Sequence, residues 1–189
     1  MYKHAHPDTI FVDVGACVGR FTVRLAKRVK QVIAIEPIPY NIIALKENLR
    51  INHIDNVTIL NCAVSDVAGK LKLNVAGGWT TALNQARAYE MEVDALPLDD
   101  LVDCAHLIKV DTEGWEGHVV KGSEQLVKKC RPVWLIEAHD RTRYGRRHII
   151  AEEYWYHIGR VLHNYKRFAV GPRGPMDFEW GFVPLETKI

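Results

Sequence analysis

The sequence has no long hydrophobic run, no C-x-x-C pair and no excess of charge of one sign, and each absence removes a class of protein. No apolar stretch approaches the ~20 residues that a membrane-crossing helix requires. The first residues, Met1-Tyr2-Lys3-His4-Ala5-His6-Pro7, are polar and lack the apolar centre of a secretory signal. The four cysteines, Cys17, Cys62, Cys104 and Cys130, stand far apart, which excludes a zinc ribbon or a C-x-x-C redox motif. Secreted disulfide scaffolds are shorter and denser in cysteine, so the expectation is a reduced, cytoplasmic protein. Lys plus Arg number 25 against 23 Asp plus Glu, a formal charge of +2. That balance lacks the strong overall field of a nucleic-acid coat protein and argues against nucleic acid as a partner.

The composition that remains, 48% hydrophobic and 25% charged over 189 residues, is that of a globular chain. One core at this length buries roughly 70% of the surface of the unfolded chain. No linker, repeat or low-complexity tract divides residues 1–189, so a single domain is expected.

Thr9-Ile10-Phe11-Val12-Asp13-Val14 is a β-branched apolar run stopped by Gly15, as in a strand buried on both faces. Val18, Phe21, Leu25 and Val29 then recur at helical spacing. Gln31 to Glu36 repeats the strand signal, Ile42, Leu45 and Leu49 the helical one, and Asn56 to Cys62 a third strand. This alternation predicts βαβ units in a doubly wound α/β fold with a parallel sheet. From about residue 70 to 94 the period changes to two, with Leu71, Leu73 and Val75 set against Lys70, Lys72 and Asn74, and Met91 and Val93 set against Glu90, Glu92 and Asp94. An inserted β-hairpin with one wet face is expected there, with Gly77 to Thr81 as its loop. Ala105 to Asp111, Trp115 to Lys129 and Pro132 to Glu137 restore strand, helix, strand. Ile149 to Leu162 reads as a last helix, and Lys166 to Val170 with Phe178 to Val183 as a closing hairpin.

Ligands of open α/β sheets bind at the carboxyl ends of the strands, which here carry Asp13, Glu36, Cys62, Asp111 and Glu137. Gly15 and Glu36 lie 21 positions apart, the spacing that sets a glycine turn and a ribose-binding carboxylate against one nucleoside. The glycines form D-x-G-x-x-x-G over Asp13 to Gly19 and lack the G-x-G-x-x-G that admits a dinucleotide pyrophosphate, which makes NAD the weaker reading. An amino-acid tail fits better, its carboxylate at the turn and its ammonium near Asp13, and this points to S-adenosylmethionine. The competing reading is that Gly15 and Gly19 only permit close strand–helix packing and that Glu36 is a solvated strand end.

Five ordered blocks, Phe11 to Thr22, Ile35-Glu36-Pro37, Ala63-Val64-Ser65-Asp66, Ile108 to Glu116 and Ile136-Glu137-Ala138-His139, resemble the motifs of FkbM-type methyltransferases. The resemblance implies a class I, Rossmann-like methyltransferase sheet of seven strands, mostly parallel with the last strand antiparallel. It also implies S-adenosylmethionine-dependent O-methyltransferase activity. Cys17 stands where Asn is more usual. By the same resemblance Asp13, Gly15 and Ala16 meet the methionine part of the cofactor, Glu36 the ribose, Cys62 and Ala63 with Asp66 the adenine edge, and Pro37 the rim.

Methyl transfer to oxygen requires an acceptor held in line and a base for its proton. Lys109, Asp111, Glu137 and His139 are the catalytic candidates from neighbouring strand ends. His139 is the expected base, since an imidazole titrates near neutrality, with Glu137 or Asp111 orienting it. Lys109 is equally well read as a structural partner of Asp111 or Glu113. Asp111, Glu137 and His139 also form a possible Mg²⁺ or Mn²⁺ set, although a metal is not required by the pattern. Glu113 and Glu116 are read as helix-end charges.

Arg141, Arg143, Arg146, Arg147 and His148 form one local basic cluster, suited either to a phosphate-bearing acceptor or to a solvated loop. Tyr154, Trp155, Tyr156 and Trp180 suit a sugar-binding wall or ordinary packing. The expected acceptor is a hydroxyl of a sugar, glycan or related small metabolite. The alternatives are an RNA ribose methyltransferase and a catalytically silent cofactor-binding partner subunit.

Overall fold

The computed structural model describes residues 2–76, 79–81, 89–139, 156–172 and 177–185. Strands β1 (Ile10–Val14), β2 (Gln31–Ile35) and β3 (Val57–Leu60) alternate with helices α1 (Arg20–Ala26) and α2 (Pro39–Ile51). Next come β4 (Ala63–Ser65), β5 (Gly69–Ala76), β6 (Trp79–Thr81), β7 (Tyr89–Pro97) and the short helix α3 (Leu98–Leu101). The alternation resumes with β8 (Leu107–Val110), α4 (Glu116–Lys121), α5 (Glu124–Cys130) and β9 (Val133–His139). Residues 156–161 are helical, and β10 (Tyr165–Pro172) and β11 (Asp177–Pro184) complete the main sheet.

That sheet has seven strands in the order β10-β11-β9-β8-β1-β2-β3. Strands β3, β2, β1, β8 and β9 run parallel, while β11 is antiparallel to both β9 and β10. Both faces are buried, which is why its strands read as continuous apolar runs. On one face Phe11, Val32 and Leu107 pack against Leu25 and Ala26 of α1, and Ala34 against Leu45 and Leu49 of α2. On the other, Val12, Val14, Ile108, Val110, Trp134 and Ile136 meet Val119 and Val120 of α4, Leu126 and Val127 of α5, and Ile158. No helix among the described residues is long and apolar enough to cross a membrane.

The insertion is larger than the expected hairpin. It is a four-stranded sheet in the order β4-β7-β5-β6, and Trp79–Thr81 forms its edge strand rather than a loop. Lys70 pairs with Asp94 at 2.6 Å and Lys72 with Glu90 at 2.9 Å on the wet face. Leu73 and Val75 pack with Met91 and Val93 over Ile38 on the other. Gly77 and Gly78 lie outside the described residues, as do the Arg141–His148 cluster, Tyr154, Trp155 and the turn at residues 173–176.

The single helix expected over Trp115 to Lys129 is two helices broken at Gly122 and Ser123. A Cβ on Gly122 would overlap the backbone of Ser65, so the helix stops where it touches β4. Asp99 of α3 then caps α5, accepting from the amides of Gln125 at 2.9 Å and Leu126 at 2.7 Å. The expectation of four reduced cysteines is also corrected. Cys104 and Cys130 form a disulfide between the amino-terminal approaches to β8 and β9, with Cα atoms 5.8 Å apart, while Cys17 and Cys62 are free.

Candidate active site

The turn after β1 is shaped by backbone conformations that few residues adopt. Gly15 has φ +73°, Cys17 +50° and Gly19 +91°. A Cβ on Gly15 would overlap the carbonyl of Asp111, and one on Gly19 would strike Leu45, so both glycines are required by space as well as by φ. The left-handed conformation at Cys17 is one that Asn tolerates better than most residues. The amides of Gly15 and Ala16 both donate to the Ile35 carbonyl, at 3.0 and 3.1 Å, and tie the turn to the end of β2.

Glu36 follows immediately and is only 2% exposed. Its Oε2 accepts from the Cys17 amide at 2.8 Å, and its Oε1 accepts from the Ile38 amide at 3.0 Å and from Asn41 Nδ2 at 3.1 Å. Burial pushes its pKa up, and these three donors together with the Lys109 charge only partly oppose that. A carboxylate offers about four acceptor positions, so capacity remains on Oε2 for a ligand hydroxyl. The side chain is a preorganised acceptor rather than a solvated strand end.

The turn after β8 is built around Glu116, which is fully buried. Its Oε1 accepts from the amides of Thr112 at 3.2 Å and Gly114 at 2.9 Å, holding a loop in which Glu113 and Gly114 both have positive φ. This loop presents Asp111 and Thr112. Glu116 was expected to serve as a helix-end charge; its work is to shape the loop.

These pieces converge on a cavity at the carboxyl ends of β1, β2 and β8. Gly15, Glu36, Pro37, Cys62, Ala63 and Asp111 line it, as do Thr112, Trp115, Leu71 and Leu73. The last four were not singled out as site residues from sequence. Leu71 and Leu73 carried a signal in their period-two pattern, but which sheet face meets the cavity depends on how the insertion folds back. The buried Oγ1 of Thr112 has no hydrogen-bond partner among the described residues. Apolar walls, a glycine turn, a carboxylate acceptor and an unused hydroxyl form a donor and acceptor set suited to a nucleoside with a polar tail.

Five of the expected positions, Asp13, Ala16, Asp66, Lys109 and Glu137, are not among the residues that line this cavity. Asp13 is fully buried, accepts from Thr22 Oγ1 at 2.7 Å and pairs with Lys109 at 3.3 Å, so it supports the turn from beneath and does not line the cavity. Ala16 is buried against α2 and does not form the wall. Asp66 is held by His118 Nδ1 at 3.0 Å and Lys121 Nζ at 2.6 Å, which turns its carboxylate to α4. Lys109 is buried between Asp13 and Asp111. Glu137 is buried at the end of β9, and the His139 backbone pairs with Asp177 of β11. Tyr156 is exposed, and Trp180 packs at the core margin beside the Arg167 guanidinium. Among the described residues no three His, Cys, Asp or Glu side chains converge as a metal site.

A family model described as the methyltransferase FkbM domain matches residues 13–166. The chain belongs to the FkbM methyltransferase family. An FkbM methyltransferase structure from Methylobacillus flagellatus superposes on this one with a TM-score of 0.69 at 21% identity, covering 94% of this chain and 44% of that one. A methyltransferase-like protein from Streptococcus mutans, in complex with SAH, superposes with a TM-score of 0.63 at 10% identity, covering 96% and 92% of the two chains. In sequence, 71 residues are 35% identical to an uncharacterised RNA methyltransferase of Lactobacillus johnsonii, covering 38% of this FkbM chain and 16% of that relative's length.

Proposed function

We propose that this FkbM methyltransferase uses S-adenosylmethionine to methylate a hydroxyl group, with a sugar, glycan or related small metabolite as acceptor. The observation that carries the cofactor reading is the meeting of the Gly15 turn and the buried Glu36 carboxylate on one cavity wall. Glu36 accepts from the ribose hydroxyls, Thr112 offers its unused hydroxyl, and the walls from Cys62, Ala63, Leu71 and Leu73 take the base. The SAH bound in the S. mutans relative supports the same assignment. When bound, the cofactor supplies an electrophilic methyl group on a sulfonium.

The acceptor side is formed from the ends of β8 and β9. Asp111 stands on the cavity wall and orients the acceptor hydroxyl, and His139 at the end of β9 takes its proton. Glu137, two residues earlier on the same strand, supports the positive charge that the imidazole gains. Lys109 is buried and engaged by the Gly15 carbonyl and the Asp13 and Asp111 carboxylates, which supports reading it as a fixed cation rather than a base.

A ribose hydroxyl of RNA is the second reading, favoured by the 71-residue match to an RNA methyltransferase. The experiment is transfer of labelled methyl from S-adenosylmethionine by the purified protein to panels of glycans, sugar metabolites and RNA across a salt series. Transfer to a neutral glycan with a flat salt response supports the first reading. RNA methylation with binding that falls steeply with salt replaces it. Cofactor binding with no transfer to any panel assigns the chain as a silent cofactor-binding subunit.

A further inference from the structure

Lys109 lies where three cavity-forming pieces meet. Strand register sets it beside Asp13 of β1, on the face that also carries α1. Its Nζ donates to the Gly15 carbonyl at 2.8 Å and lies 3.3 Å from Asp13 Oδ1 and 3.5 Å from Asp111 Oδ2. The Phe21 ring centroid is 5.4 Å away and closes the site on the α1 side. The side chain is 5% exposed.

An ammonium has three donors and no acceptor; here one hydrogen bond goes to the Gly15 carbonyl, and the carboxylates of Asp13 and Asp111 stand beside it as ion-pair partners. Two of those neighbours belong to residues that line the cavity from the carboxyl ends of adjacent strands, Gly15 after β1 and Asp111 after β8. Asp13 lies beneath the turn, anchored in its other oxygen by Thr22. Burial alone would favour the neutral amine, but Asp13, Asp111 and Glu137 outweigh it and keep the nitrogen charged.

We propose that Lys109 is a positioning residue, whose ammonium ties the Gly15 turn to Asp111 and so fixes the geometry of the cavity where the cofactor's methionine end would lie. The bland account of this lysine is charge neutralisation, a cation present only because Asp13 is buried. The two accounts separate at the Gly15 carbonyl. Neutralising Asp13 requires no bond to Gly15, whereas positioning does.

The proposal rests on the S-adenosylmethionine reading, and the test keeps the two apart. Wild-type protein is first titrated with S-adenosylmethionine and SAH by calorimetry; absence of binding overturns the cofactor reading itself. Lys109→Met alone would leave the Asp13 carboxylate buried without its cation, which is strongly destabilising. The informative variant is therefore Asp13→Asn with Lys109→Met, which removes both charges together.

Positioning predicts that this double variant melts near the wild-type temperature yet binds both ligands about tenfold or more weakly, with turnover reduced further than KM accounts for. Wild-type affinity in the folded double variant overturns the proposal. Should the double variant fail to fold, Lys109→Arg decides, because it keeps a cation for Asp13 but moves the donors off the Gly15 carbonyl. A folded Arg variant with wild-type affinity overturns the proposal, and a tenfold loss at unchanged melting temperature upholds it.

Discussion

A Cβ placed on Gly15 would overlap the carbonyl oxygen of Asp111, so the turn after β1 and the turn after β8 are in direct backbone contact. The two residues are far apart in sequence, and no side chain can be inserted between them. Gly15→Ala therefore meets two penalties, a left-handed φ costing about 1–2 kcal/mol and a steric overlap that must move one turn. Urea unfolding should show a loss of more than about 2 kcal/mol, and calorimetry no measurable S-adenosylmethionine binding. An Ala variant that binds normally would remove the turn from the cofactor site.

Glu36 predicts opposite pH trends for stability and for binding. Burial raises its folded pKa above the ordinary 4.5, so its contribution to the unliganded protein is present below that value and lost as pH rises through the folded pKa. A ribose diol requires the ionised form, so cofactor affinity should instead fall as pH drops through the same folded value. Glu36→Ala should weaken S-adenosylmethionine about 100-fold, the equivalent of one or two charge-assisted hydrogen bonds. Glu36→Gln should flatten the acid limb of the affinity profile, and a limb that persists in that variant assigns it to another group.

His139→Ala should lower kcat about 10²- to 10⁴-fold, the usual contribution of a general base, with cofactor affinity unchanged. The metal alternative is separated in the same assay. If Asp111 ligates Mg²⁺ or Mn²⁺, wild-type activity is lost in EDTA and restored by either ion; activity that survives chelation eliminates that role. Full kcat in the His139 variant would leave positioning alone to account for catalysis.

Asp66 holds β4 to α4. Burial opposes its charge, but hydrogen bonds from Lys121 and His118 outweigh it and hold its pKa down to about 2. Asp66 itself is 12% exposed, but Lys121 is 38% and His118 31% exposed, so solvent screens part of the interaction. A depressed carboxylate pKa gives stability that is present above the unfolded value of 3.8 and lost as pH falls towards 2. Asp66→Asn should cost about 1 kcal/mol at neutral pH, the shift being discounted for screening, and remove that acid dependence, as read from thermal melts between pH 2 and 7.

The Cys104–Cys130 disulfide closes 26 residues of chain at the amino ends of β8 and β9, the sheet edge opposite the cavity. Cys104→Ala should lower stability by about 2–4 kcal/mol, and reductant should reproduce the loss in the wild type while leaving the Cys104→Ala variant unchanged. Cofactor affinity, measured by calorimetry in the same samples, should stay constant in both.

The sequence by itself determined the βαβ alternation, the parallel sheet and the strand ends that carry Gly15, Glu36 and Asp111, because runs buried on two faces and glycine turns leave local patterns. It also carried the family, in five blocks whose order is readable without coordinates. Only the tertiary structure decided which acid faces the cavity. Asp13 and Glu36 look alike at their strand ends, yet Lys109 from β8 draws Asp13 beneath the turn, while the amides of Cys17 and Ile38 hold Glu36 at the cavity wall. The partners of Asp66 were hidden for the same reason, since His118 and Lys121 arrive from a helix more than 50 residues away. The Cys104–Cys130 pair was invisible because a spacing of 26 carries no signal until two strand approaches are brought side by side. In each case the deciding partner comes from a distant segment, and a pattern of neighbours along the chain cannot report which distant charge or sulfur will be nearest in space.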